Sequence, residues 1–141
     1  MPLDDDVTLG DHLLDVQRAL LAELYDRLAV AGFPDLTLET TALFKDVAPG
    51  GSTVADIAAR AQLGRSGVQR AADALSRQGY AEVDGDVVQL TEKGWAAVSA
   101  GRRALRDIAA GWEQQIGTER FAVFAAVLRD VAAWQRGVPR S

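Results

Sequence analysis

The amino-acid sequence predicts a mainly α fold with one small β-hairpin, an α+β architecture, and three observations lead there. Apolar residues recur with a period near 3.6 along most of the chain. Between Tyr80 and Thr91 that period gives way to alternation around Val83-Asp84-Gly85-Asp86-Val87, the pattern of two short strands joined by a tight turn. The 141 residues are 48% hydrophobic and 25% charged, enough apolar surface for one domain or two small lobes sharing a core. Disordered, collagen-like and disulfide-stapled chains are excluded by that balance.

The elements follow in order. Thr8, with Asp11 three residues on, reads as the N-cap of a first helix that ends near Gly32, with Asp4-Asp5-Asp6 in a solvated tail before it. Leu13, Val16, Leu20, Leu24 and Leu28 form one apolar line on this helix, and Leu14, Leu21, Tyr25 and Leu28 a second. The resulting arc is wider than one core contact requires, so the helix is expected to pack on two sides, with a partner chain as the natural second surface. Thr37 precedes a shorter helical run through Leu38, Ala42, Leu43, Phe44 and Val47, closed by Pro49-Gly50-Gly51.

Thr53-Val54-Ala55-Asp56 has the form of a capping box with Asp in place of Glu, and opens a helix burying Ala55, Ile57 (or Val54), Ala58 and Ala61. Gln62-Leu63-Gly64 allows only a tight turn. A third helix, from about Arg65 to Gln78, places Val68, Ala71, Ala72 and Leu75 inside and leaves Arg65, Ser66, Gln69, Arg70, Asp73 and Arg77 on the other side, with Gly79 ending it. After the hairpin, whose turn is expected at Asp84-Gly85, Thr91 caps a long helix with a stripe through Trp95, Val98, Leu105, Ile108, Trp112 and Ile116. Gly117 breaks it and Thr118 caps a last helix with Phe121, Phe124, Leu128 and Val131 at helical spacing, ended by Gly137 and Pro139.

The net charge of −5 argues, as a sum, against a partner as negative as nucleic acid. Its distribution says otherwise. Residues 1–52 hold 3 basic and 10 acidic side chains, whereas residues 92–141 hold 8 and 5, and the run from Gln62 to Tyr80 carries Arg65, Arg70 and Arg77 against Asp73 alone. Two short helices with a three-residue turn, followed by a hairpin, describe a winged helix-turn-helix, which sets its second helix in the DNA major groove. Arg there chelates guanine, Gln pairs with adenine, and Ser with the helix N-terminal amides suits phosphate oxygens. The same pattern also fits a small packing module whose arginines are simply solvated.

The chain resembles the MarR family of bacterial transcription regulators over nearly its whole length. Residues 53–61, Thr-Val-Ala-Asp-Ile-Ala-Ala-Arg-Ala, look like that family's first motif helix, and residues 63–75, from Leu63-Gly64-Arg65 to Leu75, like its recognition helix. Gln78-Gly79-Tyr80-Ala81-Glu82 is similar to its approach to the wing, and Leu90-Thr91-Glu92-Lys93-Gly94 to the signature that follows, the most specific of these strings. The resemblance implies an N-terminal dimerisation helix in residues 1–36, a DNA-binding lobe in 37–91, and linker and dimerisation helices in 92–141 of one continuous fold. It further implies a homodimer that binds a pseudo-palindromic operator in double-stranded DNA, represses or modulates transcription, and is tuned by a small aromatic or lipophilic effector. The implied DNA contacts are Arg65, Ser66, Gln69, Arg70 and Arg77; the implied effector contacts are Tyr25, Phe33, Phe44, Trp95 and Trp112.

Two departures stand out. The family's wing is usually longer and carries an arginine for the minor groove, while here the tip is Asp84-Gly85-Asp86 and no basic residue lies between Arg77 and Lys93. Gly64 and Gly67 also replace hydroxyl residues common in the family. The acidic wing motivates an alternative, a winged-helix protein-interaction module that has lost DNA binding.

Catalysis is not expected. The chain has no cysteine, one histidine (His12) and no Gly-rich phosphate loop after a strand, so nucleophilic, metal and nucleotide-dependent mechanisms lack their usual parts, and no cofactor or metal is implied. The first residues lack a basic signal-peptide region, and the longest apolar run, Phe121 to Leu128, is far short of the ~20 residues that span a bilayer. A cytoplasmic, membrane-free location is the expectation.

Overall fold

The computed structural model describes residues 2–61 and 63–137, and side chains from residue 8 onward. Gln62 and Pro139 therefore lie outside the described residues. The chain divides into two units, residues 1–104 and 105–141, and the division falls within one long helix.

In the first unit, helix α1 (Pro2–Val30) leads by a short loop to α2 (Leu38–Thr41) and a single 3-10 turn, Phe44–Asp46. Strand β1 (Ser52–Thr53) then opens α3 (Val54–Ala61), and α4 (Arg65–Arg77) follows. Strands β2 (Ala81–Asp84) and β3 (Val87–Leu90) form the hairpin, after which α5 (Glu92–Ile116) begins. The sheet is antiparallel with order β1-β3-β2, Ser52 opposite Val88 and Val83 opposite Val88 from the other side. Among the described residues no helix is long and apolar enough to cross a membrane.

Several expectations are corrected. α1 starts at Pro2 rather than after Thr8, so Asp4-Asp5-Asp6 is helical; proline suits a first helical position, where its missing N–H leaves no bond unmade. The run after Thr37 stays helical for only four residues. There the Thr40 and Thr41 hydroxyls donate to the Thr37 carbonyl, and the chain continues as a 3-10 turn. β1 is a third strand, beyond the two of the expected hairpin. On α3 the buried residues are Val54, Ile57 and Ala58, while Ala55 faces solvent. The hairpin turn is Gly85-Asp86, because Asp84 still pairs with Val87, and Gly85 supplies the positive φ of +62°. Thr118 is the first residue of α6 (Thr118–Gln135), not its cap; that position belongs to Gly117 at φ +94°.

The face that α5 buries is also displaced. Gly94, Ala97, Ala104 and Ile108 are its buried residues, whereas Leu105 is 41% exposed. Small residues weigh little in a hydrophobic pattern, yet they let the helix axis approach its neighbours closely. On α4, by contrast, Val68, Ala71, Ala72 and Leu75 are all buried as expected.

The core of the first unit closes around Tyr80, a fully buried residue in the turn between α4 and β2. Phe33 and Phe44 flank its ring at centroid distances of 6.1 and 6.4 Å. Its hydroxyl donates to Asp35 Oδ1 at 2.5 Å, and burial first, then the Asp35 bond and charge, push its ionisation well above the usual tyrosine range. Lys93 Nζ sits 4.4 Å over the ring and donates to the Gln78 carbonyl at 2.9 Å. The Thr91 hydroxyl donates to the Gly79 carbonyl at 2.6 Å and accepts from Gly94 N–H at 3.1 Å, capping α5 as expected. A Cβ on Gly94 would collide with the Tyr80 carbonyl oxygen. The string Leu90-Thr91-Glu92-Lys93-Gly94 therefore has a physical meaning: it clamps the start of α5 onto the turn that leaves α4.

Two consequences are measurable. Gly94→Ala, although alanine is the better helix former, should lower stability toward the upper end of the ~1–3 kcal/mol that overpacking costs, whereas Gly67→Ala in α4 should raise it by up to about 1 kcal/mol; urea midpoints of the two variants give the signs. For Tyr80 the unfolded phenol ionises near pH ~10 while the folded one stays protonated, so stability is lost as pH rises above that value. Tyr80→Phe should cost about 1 kcal/mol at pH ~8, and its deficit relative to wild type should shrink by pH ~10.5. A deficit independent of pH in urea titrations would contradict the buried hydroxyl's role.

Candidate nucleic-acid interface

Helix α4 has two opposite faces. Val68, Ala71, Ala72 and Leu75 point into the core, and the arc turned away from them carries Arg65, Ser66, Gln69, Arg70, Asp73 and Arg77. Helical spacing alone forces this separation. Arg65, Ser66, Arg70 and Arg77 are exposed, and Gln69 is half-buried. The five residues expected to contact DNA thus lie together on one surface. The helix begins without a side-chain cap, at Gly64 with φ −71° and ψ 149°, so its first amides have no side-chain hydroxyl in front of them.

The electrostatics of this face are less basic than its arginines imply. Gln69 Nε2 donates to Asp73 Oδ1 at 3.1 Å, one turn along the same helix. Arg70 Nε donates to Glu39 Oε1 at 3.3 Å, from α2. Glu39 carries no signal in the sequence: it is 31 residues from its partner, and no periodicity links α2 to α4. The side chains of Arg65 and Ser66 make no hydrogen bond or ion pair among the described residues. Arg60, also basic, is engaged elsewhere, donating from Nη1 to the Asp46 carbonyl at 2.7 Å.

The wing tip presents Asp84 and Asp86 to solvent. The Asp86 carbonyl accepts from Val54 N–H at 2.8 Å, which fixes the hairpin to the start of α3. Carboxylates in these positions repel a phosphate backbone.

The expected effector contacts fall in two places. Tyr25, Phe33, Phe44 and Trp95 are half-buried and pack against the core of the first unit. Tyr25 is further engaged, its hydroxyl 2.7 Å from Thr41 Oγ1. Trp112 belongs to the second unit, where its ring meets Phe124 edge-on at 6.3 Å and Phe124 in turn meets Phe121 at 6.2 Å.

No protein-family model matches the chain, and no curated protein does. Solved structures match closely in shape. A MarR family protein of Mycobacterium tuberculosis, Rv2887, is 22% identical with a TM-score of 0.64, the alignment covering 94% of this chain and 99% of that one. The MarR family transcriptional regulator Sco5413 of Streptomyces coelicolor is 20% identical with a TM-score of 0.71, covering 96% and 99%. FabT of Streptococcus pneumoniae, solved in complex with DNA, is 20% identical with a TM-score of 0.73, covering 94% and 98%. The order of helices, the three-stranded wing and this near-complete coverage agree: the chain has the winged helix-turn-helix fold of the MarR family transcriptional regulators.

Proposed function

We propose that this chain is a non-enzymatic, DNA-binding transcriptional regulator of the MarR type, working as a homodimeric repressor on a pseudo-palindromic operator. The observation that carries the reading is the outer face of α4, where Arg65, Ser66, Gln69, Arg70 and Arg77 stand together on a rigid helix whose other face is core. The fold is one that FabT of Streptococcus pneumoniae presents in a complex with DNA. Arg65, Ser66, Gln69 and Arg70 from two copies enter successive major grooves about 34 Å apart. Arg77, two turns further along, contacts phosphate.

Self-association is supported by what the terminal helices leave uncovered. On α1, Leu9, Leu13, Leu14 and Val16 are exposed, and on α6, Val123, Phe124, Val127, Leu128, Val131 and Trp134 are exposed. Apolar helix faces of this extent are uncommon on a monomer's surface. Tuning by a small aromatic or lipophilic acid belongs to the same reading, with Tyr25, Phe33, Phe44 and Trp95, which pack against the core of the first unit, as candidate contacts. The acidic wing favours one rival, a protein-interaction module without DNA binding.

Fluorescence-anisotropy titration of a duplex chosen from a random pool separates the two. The regulator should bind with an affinity that falls steeply between ~50 and ~200 mM salt, and Arg70→Ala should cost about 1–3 kcal/mol. Absence of binding at either salt concentration supports the interaction module, and aromatic carboxylates added to the same titration test the effector. Sedimentation equilibrium checks the assembly: Leu13→Asp or Val127→Asp should shift a dimer toward monomer, and a wild-type monomer at micromolar concentration would refute it.

A further inference from the structure

We propose that Glu39, outside the reading helix, is a positioning residue that sets the DNA specificity of Arg70. The inference rests on the DNA-binding reading of α4 and deepens it. Arg70 is 74% exposed and Glu39 60% exposed, and an ion pair this open to solvent contributes little to folding stability. Its geometry is nonetheless selective. The carboxylate takes the Nε–H of Arg70, at 3.3 Å, and among the described residues the two terminal amino groups of the guanidinium have no hydrogen-bond partner. Those are the groups that present a parallel pair of N–H donors end-on, the arrangement that fits O6 and N7 of a guanine in the major groove.

The surroundings fix the backbone from which Glu39 reaches Arg70. Thr37 and Thr40 cap α2 reciprocally, Thr40 is buried, and the Thr41 hydroxyl is joined to Tyr25 on α1 at 2.7 Å, so the backbone carrying Glu39 is anchored at three points. Beneath the arginine, Gly67 contributes no side chain; a Cβ there would come no nearer than 4.0 Å to Nη2. The guanidinium is thus steered by Glu39 rather than by steric walls.

Two effects on DNA follow. On a matching guanine, Arg70 arrives with its rotamers already restricted, so less side-chain entropy is lost on binding. On any other sequence, Arg70 has only phosphates to contact, and there the neighbouring carboxylate both competes for its charge and repels the backbone. Glu39 therefore raises cognate binding relative to non-cognate binding.

The test uses the full-length chain, a duplex enriched from a random pool, and a scrambled duplex of equal length and composition, with anisotropy titrations over a range of salt. Glu39→Ala should strengthen scrambled-duplex binding about two- to three-fold, steepen its salt dependence by close to one phosphate contact, and reduce the enriched-to-scrambled affinity ratio about three- to five-fold. Added to Arg70→Ala, it should leave that ratio where Arg70→Ala alone puts it. Glu39→Gln, which retains an oxygen acceptor for Nε without the charge, should strengthen scrambled binding while keeping most of the base preference. Equal changes on both duplexes, the same ratio loss without Arg70, or full loss of preference in Glu39→Gln would each overturn the role of Glu39 while leaving DNA binding intact. Failure of the wild-type chain to enrich any duplex overturns the DNA-binding reading itself, and Glu39's role with it. Circular dichroism melts of the variants show whether folding is unchanged.

Discussion

The packing of α5 against the carbonyl of Tyr80 is the constraint on which the first unit depends. Tyr80 is where α4 stops being a helix and the wing begins, and its backbone, ring and hydroxyl are each engaged by a different part of the chain. Its N–H donates to the Leu75 carbonyl, its carbonyl accepts from Thr91 N–H, its ring lies among Phe33, Phe44 and Lys93, and its hydroxyl reaches Asp35. The loop after α1, the end of α4, the wing and the start of α5 are thereby referred to a single point. Gly94 is the residue that permits it, because any side chain there would occupy the space of the Tyr80 carbonyl.

The orientation of α4 is inherited from that junction. With its inner face fixed by Val68, Ala71, Ala72 and Leu75, the helix has no rotational freedom left, and its outer face is held out to solvent as a defined array. The array is not a simple basic patch. Asp73 accepts from Gln69 and Glu39 from Arg70, so carboxylates stand beside two of its polar side chains and the face is less positive than its arginines imply. An acidic wing and an N-terminal segment rich in carboxylates belong to the same electrostatic pattern, in which acidic groups surround the arginines of α4.

Elements with a strong local signal were legible in the sequence. The inner face of α4 showed because four apolar residues repeat at helical spacing, and the hairpin because Asp-Gly interrupts an alternating pattern. Elements whose signal is short or small were not. β1 has two residues and no period to detect; the buried side of α5 is marked by glycine and alanine, whose hydrophobic weight is low beside Trp95 or Leu105; and α2 is shorter than its apolar pattern suggests because its threonines turn back onto their own backbone.

The amino-acid order by itself determined the fold class, helix α4 and the polar residues Arg65, Ser66, Gln69, Arg70, Asp73 and Arg77 on its outer face, since all of these follow from spacings within a few turns of chain. What only the tertiary structure decided is which partners those residues meet. Arg70 and Glu39 are 31 positions apart, and Tyr80 and Asp35 are 45 apart. No local rule brings such pairs together; they meet because a shared core fixes α2, α4 and the start of α5 in one arrangement. The net charge of −5 gained its meaning at the same level, as acidic groups placed beside particular basic ones rather than as a uniform repulsion of nucleic acid.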